Sequence, residues 1–400
     1  MITNVGKNLL AKYLIGQAPA YATHIAIGCG PKPQAVDDEL TLEEFNDILD
    51  KKNLDFEMFR VPISSRGYVN ELDALGNPAS KIVLTAELPT VERYEITEIG
   101  VYSAASNPTA GAYDSKTVYS FSTTENWERH TATTVTAVET INGPLATSII
   151  PGEETIINQA SPIFQTNADN KTLLDINRLN RYESCRYLNN TIFMAGNTST
   201  LSIASGESKM TASSGSEHIH LSGASIGFNK NSDNDELKLA FSIVSKSATS
   251  AANLVHPTRV KILVEFADND SGDATNYAQF QVDITNGVGG YNFATNRYIV
   301  ETKKLGQLIK SPTFTWNSVN VVKVWASVLG AGGTPTSDYY VALDAIRLEN
   351  TSSVNPLYGL TGYSVVKSAD LLPIVKVSNT ANLVEFRFAL DVDLDTGNVS

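Results

Sequence analysis

His218, Ile219 and His220 put two imidazoles on the same face of any strand that contains them, because side chains alternate with a period of two. With His256 as a third donor, this is a set that zinc or nickel can use. No carboxylate stands at a defined spacing, and scattered histidines without one are more often polar residues on a solvated strand face. Asp268-Asn269-Asp270-Ser271-Gly272-Asp273 offers hard oxygen donors. It lacks the sixth-position glycine and closing glutamate of an EF-hand loop, so it reads as a hairpin tip.

Signals for catalysis are missing. There is no GxSxG elbow, neither Cys29 nor Cys185 stands beside a plausible histidine, and 5 histidines leave few candidate bases. Asp and Glu are plentiful, yet no pair stands out as the two carboxylates of glycoside cleavage. Gly28-x-Gly30 and Gly330-Ala331-Gly332-Gly333 lack the Lys-Ser/Thr ending of a phosphate loop and read as turns. The two cysteines form no CxxC pair and no disulfide framework; in a reducing cytoplasm both are small buried hydrophobes. The chain is therefore read as a non-enzyme without a cofactor.

Sugar recognition needs flat rings flanked by polar groups, which cover a pyranose while amides and carboxylates bond its hydroxyls. Trp316, Tyr291, Phe293, Tyr298 and Tyr277 lie on turn-rich segments beside Asn276, Asn292, Asn296 and Arg297. Trp316, Tyr291, Asn292 and Arg297 are the candidate ligand contacts, with surface packing as the equal alternative for each loop aromatic. Trp325, inside a strand, reads as core. Trp127 reads as an anchor against a neighbouring subunit.

Composition narrows the classes further. The 400 residues suggest two or three domains, and 43 acidic against 30 basic residues give a net charge of -13, the wrong sign for binding phosphate backbones. No apolar run reaches the roughly 18 residues of a membrane helix, and the N-terminal stretch lacks a signal peptide's pattern. The expectation is a soluble, non-exported chain that neither binds nucleic acid nor inserts into a membrane.

These residues must be positioned by short strands. Thr3 to Gly16 predicts a helix with Val5, Leu9, Leu10, Tyr13 and Leu14 on one face, capped by Thr3 or Asn4. Thr41 to Lys52 predicts a second, with Thr41 and Glu44 at capping-box spacing. From Phe59 the apolar period becomes two, through Ile82 to Leu88, Tyr94 to Tyr102 and Thr117 to Phe121. Residues 140–200 are rich in breakers. Between about 200 and 350, strands at Leu237 to Val244, Val260 to Phe266, Ala278 to Ile284, Arg297 to Glu301, Val319 to Val328 and Tyr339 to Leu348 suit a sandwich of two sheets. Val384, Phe386, Phe388, Leu390 and Val392 then form one face of a late strand too apolar to stand alone.

The sequence thus predicts a mainly β chain: a discontinuous α+β module over 1–160 and 355–400, a connector over 161–194, and an inserted jelly-roll-like β-sandwich over 195–354. Insertion at a surface loop is easy when the guest's ends lie close together.

The series Thr3-Asn4-x-Gly6-Lys7, Thr23-His24-Ile25-Ala26-Ile27-Gly28-x-Gly30, Phe59-Arg60-Val61-Pro62-Ile63 and Glu95-Ile96-Thr97-Glu98-Ile99-Gly100-Val101-Tyr102 resembles, in that order, the N-terminal module of phage tail-fibre proteins of the tail-collar type. Glu385-Phe386-Arg387-Phe388-Ala389-Leu390 looks like that family's later Arg-hydrophobic strand. The insertion departs from the family's pattern. The inserted block, through Val319 to Trp325 and Tyr339 to Leu348, resembles carbohydrate-binding-module jelly rolls, which implies a structural calcium on Asp344 and leaves the rest of that site unassigned.

The resemblance implies a structural virion protein, made in the host cytoplasm and assembled into a phage tail as a fibre, baseplate or minor tail adaptor. Its partners are other tail proteins, further copies of itself (a trimer is favoured) and a host-surface glycan. The alternatives are a polysaccharide-degrading tail enzyme and a bacterial carbohydrate-binding surface protein.

Overall fold

The computed structural model describes residues 2–17, 22–28, 46, 48–72, 78–88, 94–103, 117–121, 127–130, 135–137, 141–142, 190–196, 199–213, 216, 218–222, 233–245, 256–269, 274–289, 291, 293, 298–336, 339–350, 359–365, 374–376 and 383–389. Helix α1 (Asn4–Leu14) begins where Thr3, in extended backbone, accepts the Gly6 amide at 3.1 Å, an N-cap that satisfies one orphan donor. The Thr3 amide also donates to the Thr361 carbonyl at 3.3 Å, and its hydroxyl donates to Leu360. This seats the first turn on a later strand so closely that a Cβ on Gly6 would lie 2.1 Å from the Thr361 oxygen.

The docking differs from the stripe expected. Leu9 is buried, while Leu10, Tyr13 and Leu14 are 40%, 53% and 76% exposed, because the helix approaches through its small Thr3–Gly6 corner. Most of the second expected helix lies outside the described residues. Within it, Asp50 donates to the Asn46 carbonyl at 2.9 Å and Ile48 is buried, so one helical turn is in place.

The strands follow in chain order: β1 (Ala22–Gly28), β2 (Glu57–Leu72), β3 (Pro78–Glu87), β4 (Tyr94–Ile96) and β5 (Glu98–Ser103). Then come β6 (Thr117–Phe121), β7 (Trp127–His130), β8 (Val135–Ala137), β9 (Ile141–Asn142), β10 (Asn190–Ala195), β11 (Leu201–Ile203), β12 (Met210–Ala212) and β13 (His218–Ser222). Next are β14 (Glu236–Ser245), β15 (Arg259–Ala267), β16 (Tyr277–Thr285), β17 (Tyr298–Lys304), β18 (Ile309–Lys310), β19 (Val321–Leu329) and β20 (Tyr339–Asn350). Last are β21 (Gly359–Val365), β22 (Ile374–Lys376) and β23 (Leu383–Ala389). The protein is mainly β.

The chain divides into two compact units, Met1–Ser115 with Ser353–Ser400, and Lys116–Ser352. In the first, a sheet of order β21-β5-β1-β2-β3-β23 takes its two edge strands from the late segment, and β4 pairs with β22. Phe386 stands opposite Leu84, and Phe388 opposite Ile82. β1 and β5 lie side by side in the interior of this sheet, with Ile25, Ala26 and Ile27 fully buried and every residue of β5 buried. A continuous apolar run of this kind belongs to a strand covered on both faces.

In the second unit two sheets face each other. Taking β10, β13, β14, β15, β16, β17, β19 and β20 as strands one to eight, their order is 1-8-3-6 in one sheet and 2-7-4-5 in the other, the order of a jelly roll. Alternation fills the core: Leu237, Leu239, Phe241 and Ile243 from β14 meet Val260, Ile262, Val264 and Phe266 from β15, with Phe280, Val282, Val322 and Val324 beside them. Each fully buried large side chain contributes roughly 1.5–3 kcal/mol. In β20, Ala345 stands opposite Ala240 and Leu343 opposite Phe241, which makes Asp344 the extra residue of a bulge. The bulge shifts the alternation by one, so Val341, Leu343 and then Ile346 face the core.

The unit boundaries differ from those read in the sequence. β6 pairs with β20, β7 with β13 and β9 with β10, so residues 117–142 contribute strands to the second unit rather than to the first. Periodicity shows that a strand is half-buried but not which distant strand it joins. Of the expected connector, residues 190–194 belong to β10 and 161–189 lie outside the described residues, as do Cys29 and Cys185.

Candidate functional site

In β15, β16 and β19 the residues that alternate with the core point to the far face of the sheet, where a lone sheet would meet water. Here the middle of that face is covered. The β11–β12 hairpin lays Leu201 and Met210 on Leu263 and Trp325, forming a second, small apolar cluster. Trp325 is therefore core, but of this outer layer rather than of the jelly-roll interior.

Beneath the hairpin runs a row of polar side chains. In register across the strands stand Gln279, Glu265, Lys323 and His220. Lys323 Nζ lies 2.9 Å from Glu265 Oε1, with the two side chains 1% and 7% exposed. Gln279 donates to the other Glu265 oxygen at 2.8 Å and to the Met210 carbonyl at 2.9 Å, while its own oxygen accepts the Met210 amide at 3.0 Å. A primary amide thereby pairs with the hairpin as a backbone rung would. Gln281 donates to the Gln279 oxygen at 2.8 Å and to the Ser208 carbonyl at 2.9 Å, and Lys261 donates to the Leu201 carbonyl at 2.9 Å.

The row has an aromatic flank. Lys323 Nζ stands 5.6 Å from the Trp325 ring centroid, the His218 ring 4.8 Å from it, and the His220 ring 5.9 Å from that of His218. Both histidines are buried, so this strand face is not the solvated one expected of them. A buried ion pair is costly to desolvate, and leaving one partner alone costs about 3–5 kcal/mol, so this network specifies one arrangement of the layer. Sequence reasoning passed over Glu265, Gln279 and Lys323. Their one signal was a charge or amide inside an otherwise apolar strand, as in Val321-Val322-Lys323-Val324-Trp325.

The expected sugar contacts do not assemble. Trp316 sits on a 3-10 turn, Trp316–Ser318, with its ring 5.5 Å from Phe266 and 4.9 Å from Phe314, both edge-on. Asn276 pins the preceding residue, accepting the Thr315 amide at 2.7 Å and donating to its carbonyl at 3.1 Å. Tyr291 closes the turn after β16: its carbonyl accepts the Gly287 amide at 2.8 Å, and its hydroxyl donates to Glu301.

Burial, reinforced by that bond, raises the Tyr291 hydroxyl above its ordinary range, and burial also raises Glu301 and lowers Lys303. Asn286 in that turn donates to the Thr258 carbonyl at 2.9 Å, so Tyr291 is at the Thr258 end of β15 and Trp316 at the Phe266 end, about 26 Å away at 3.3 Å per residue. Both rings pack partly buried against the jelly-roll core. Phe293 is wholly buried.

Asn292 and Arg297 lie outside the described residues. Asp344 is the bulge residue of β20 and Trp127 stands opposite Leu221; of their side chains the structure describes nothing. Gly28 and Gly330 lie at strand ends, with Gly330 in a turn closed by its bonds to Thr334 and Gly333. Among the described residues no group of three or more His, Cys, Asp or Glu gathers as ion ligands, and no helix is long and apolar enough to cross a membrane.

The first unit has its own buried network, built from the Glu-Ile-Gly-hydrophobic-Tyr strand. Glu98 accepts the amides of Phe56 at 2.7 Å and Asp55 at 2.9 Å, and the Tyr102 hydroxyl accepts that of Leu54 at 3.0 Å. Arg60 lies 3.7 Å above the Tyr102 ring and is paired with Glu57 by two bonds, of 2.8 and 2.9 Å. β5 thus fastens the irregular segment that leads into β2. Gly28 is part of the fit, since a Cβ there would lie 2.4 Å from Glu98 Oε1. Burial, with the nearby Asp55 adding to it, pushes the Glu98 carboxyl up to about 7 against the pull of the two amides. Burial likewise raises Tyr102.

No protein-family profile matches the chain, and a search of curated proteins finds no match. Among solved structures, the crystal structure of a DUF4465 family protein from Bacteroides caccae is 9% identical, the alignment covering 70% of this chain and 98% of that one at a TM-score of 0.20.

Proposed function

We propose that the chain is a structural protein of a phage tail, a fibre, baseplate or minor tail adaptor, whose first unit docks on the tail while the jelly roll is presented to the host surface or to neighbouring virion proteins. The observation that carries this reading is that each unit has its own hydrogen-bonded pair where the chain leaves it and comes back. In the first unit Ser103 of β5 stands opposite Gly359 of β21; in the second, Thr117 of β6 stands opposite Asn350 of β20. The chain leaves one hydrogen-bonded pair, completes a jelly roll, and returns to the same pair. Such a guest can be exchanged or lost without disturbing its host, which suits a holder that displays a variable binding unit.

The role is adhesive and mechanical, and no bond is made or broken. In a homotrimer on a multi-copy tail, weak contacts with a surface glycan add up, because each first contact raises the effective concentration for the next. The resemblance of the Thr3 to Tyr102 series to tail-fibre modules supports the tail as the location. Trp316 and Tyr291, at opposite ends of one hairpin, favour contacts spread over the surface of the jelly roll rather than one aromatic cradle.

Immunogold labelling of intact particles with an antibody against this chain tests the reading. Label on the tail, with cell attachment blocked by a soluble fragment of residues 116–352, is the expected result. Label elsewhere on the particle, or new reducing ends released from host polysaccharide by the purified chain, overturns it.

A further inference from the structure

β2 changes partner along its length. Glu57 to Pro62 pair with β1 and Ile63 to Leu72 with β3, and a bulge at Ser64 marks the change. Among the described residues no strand pairs with the other edge of this second half. Every residue from Ser64 to Asn70 is exposed, on both faces of the strand, with Tyr68 at 72% and Val69 at 39%. A row of unpaired backbone groups beside exposed apolar side chains is a template for another strand. Gly67 to Asn70 carries neither a proline nor a charge to guard it. Toward Leu72 the described sheet narrows to β2 and β3, and a two-stranded ribbon is marginal in water by itself.

The edge is complementary to itself. If two copies pair antiparallel about a two-fold axis at Gly67, Arg66 of each stands opposite the partner's Tyr68, so one favourable contact forms twice. Opposed residues have Cβ atoms about 4.5–5.5 Å apart, within reach of a guanidinium and a ring. Arg66 donates to the Ala22 carbonyl at 3.2 and 3.4 Å. A planar guanidinium bonds through its rim and stacks through its face, so that bond and a ring contact are compatible. At the axis itself a Cβ added to Gly67 would meet nothing within 4 Å, so the centre of the seam is open. On β3, Ile82 stands opposite Tyr68 and the buried Leu84 opposite Arg66, so the pairing carries the apolar face of β3 across to the second copy. Moving the axis to Arg66 would oppose two guanidiniums, and a parallel pair in register would set Arg66 and Glu71 against their own kind, which is destabilising.

We propose that two copies of the chain join edge to edge through Ser64–Asn70 of β2, antiparallel about Gly67, so that β3 and β2 of one copy run on into β2 and β3 of the other. One strand from each side makes an interface at the small end of specific contacts, for which a Kd of about 1–100 μM is expected. Such a contact is partly formed in dilute solution and fills where copies are held close together. The pairing goes beyond the tail-protein reading and stands or falls independently of it. Where the chain is also a trimer, the two-fold contact joins two trimers.

The test is analytical ultracentrifugation of the full, untagged chain at concentrations spanning about 1–200 μM. The mass should rise toward twice that of the smallest species. Tyr68→Lys, which sets a cation opposite Arg66 on both sides of the axis, should weaken the association at least about 10-fold, whereas Tyr68→Glu, which sets an anion there, should keep or tighten it. Tyr68 is exposed, so both variants should keep the melting temperature of the wild-type chain at the lowest concentration. Opposed Cα atoms about 4.5–5.5 Å apart lie within the span of a disulfide. Gly67→Cys should therefore form, on mild oxidation, a disulfide between the two substituted positions that peptide mass mapping identifies, and Val69→Cys should not. A mass that stays at one or three chains, an association that Tyr68→Lys leaves unchanged, or cross-linking through Val69→Cys in place of Gly67→Cys overturns the proposal.

Discussion

Glu98 is the residue at which sequence, packing and solution behaviour meet most directly. Its carboxylate closes two backbone amides that belong to no strand ladder, at the cost of complete burial, and burial moves its pKa from 4.5 up to about 7. The folded state then holds a proton that the unfolded chain has released between these values, so stability is fully present below pH 4.5 and declines as the pH rises through 7. A shift of that size corresponds to at most about 3 kcal/mol. Hydrogen exchange of the 53–57 segment, measured from pH 5 to 8 and corrected for intrinsic exchange, should show protection falling with pH. In Glu98→Gln that pH dependence should flatten, while overall protection drops because one of the two amides loses its acceptor. An unchanged slope in the variant would show that Glu98 is not the titrating group.

Elements in this chain are held by single side chains as much as by ladders, and the β11–β12 hairpin is the clearest case. Its backbone meets the sheet through Gln279, whose amide both donates to and accepts from Met210. Gln279→Leu keeps most of the volume but leaves those buried groups, and one Glu265 oxygen, without a partner. Each such loss costs about 1–3 kcal/mol. Exchange protection of residues 201–212 should collapse while that of the β15–β16 ladder persists; equal loss in both, or none, would mean that Gln279 is not what holds the hairpin to the sheet. The hairpin's place was not legible in the sequence, for a physical reason. The alternation that reveals Val260 to Phe266 as a strand also assigns Glu265 to the side facing water, and no local pattern tells that something covers that side. The same limit explains β6: Thr117 to Phe121 reads plainly as a strand, but its partner, β20, lies more than two hundred positions away. What was legible is what periodicity carries: α1, with Thr3 as one of its two candidate caps, β1, β5 and the main jelly-roll strands. The candidate aromatics were legible as residue types only, because which end of a hairpin a ring occupies depends on turns that bring distant segments together.

At the scale of the whole molecule, the two hydrogen-bonded junction pairs make a quantitative demand. Partners across an antiparallel ladder have Cα atoms about 4.5–5.5 Å apart, which a turn of two to five residues spans. Replacing residues 104–358 by such a turn between Ser103 and Gly359 should leave the first unit's sheet of six strands able to close, with β21 beside β5 and β23 beside β3. Residues 116–352, expressed alone, should close through Thr117 and Asn350 into the jelly roll. The readout is unusually clean, because Trp127, Trp316 and Trp325 all belong to the second unit. The excised jelly roll should therefore keep the tryptophan emission and unfolding midpoint of the intact chain, and the closed host, which has no tryptophan, should keep a β-type far-UV spectrum and a cooperative melt. If either piece is unfolded when made alone, the units are not separate folding bodies, and a division of labour between a docking unit and a displayed one loses its physical footing.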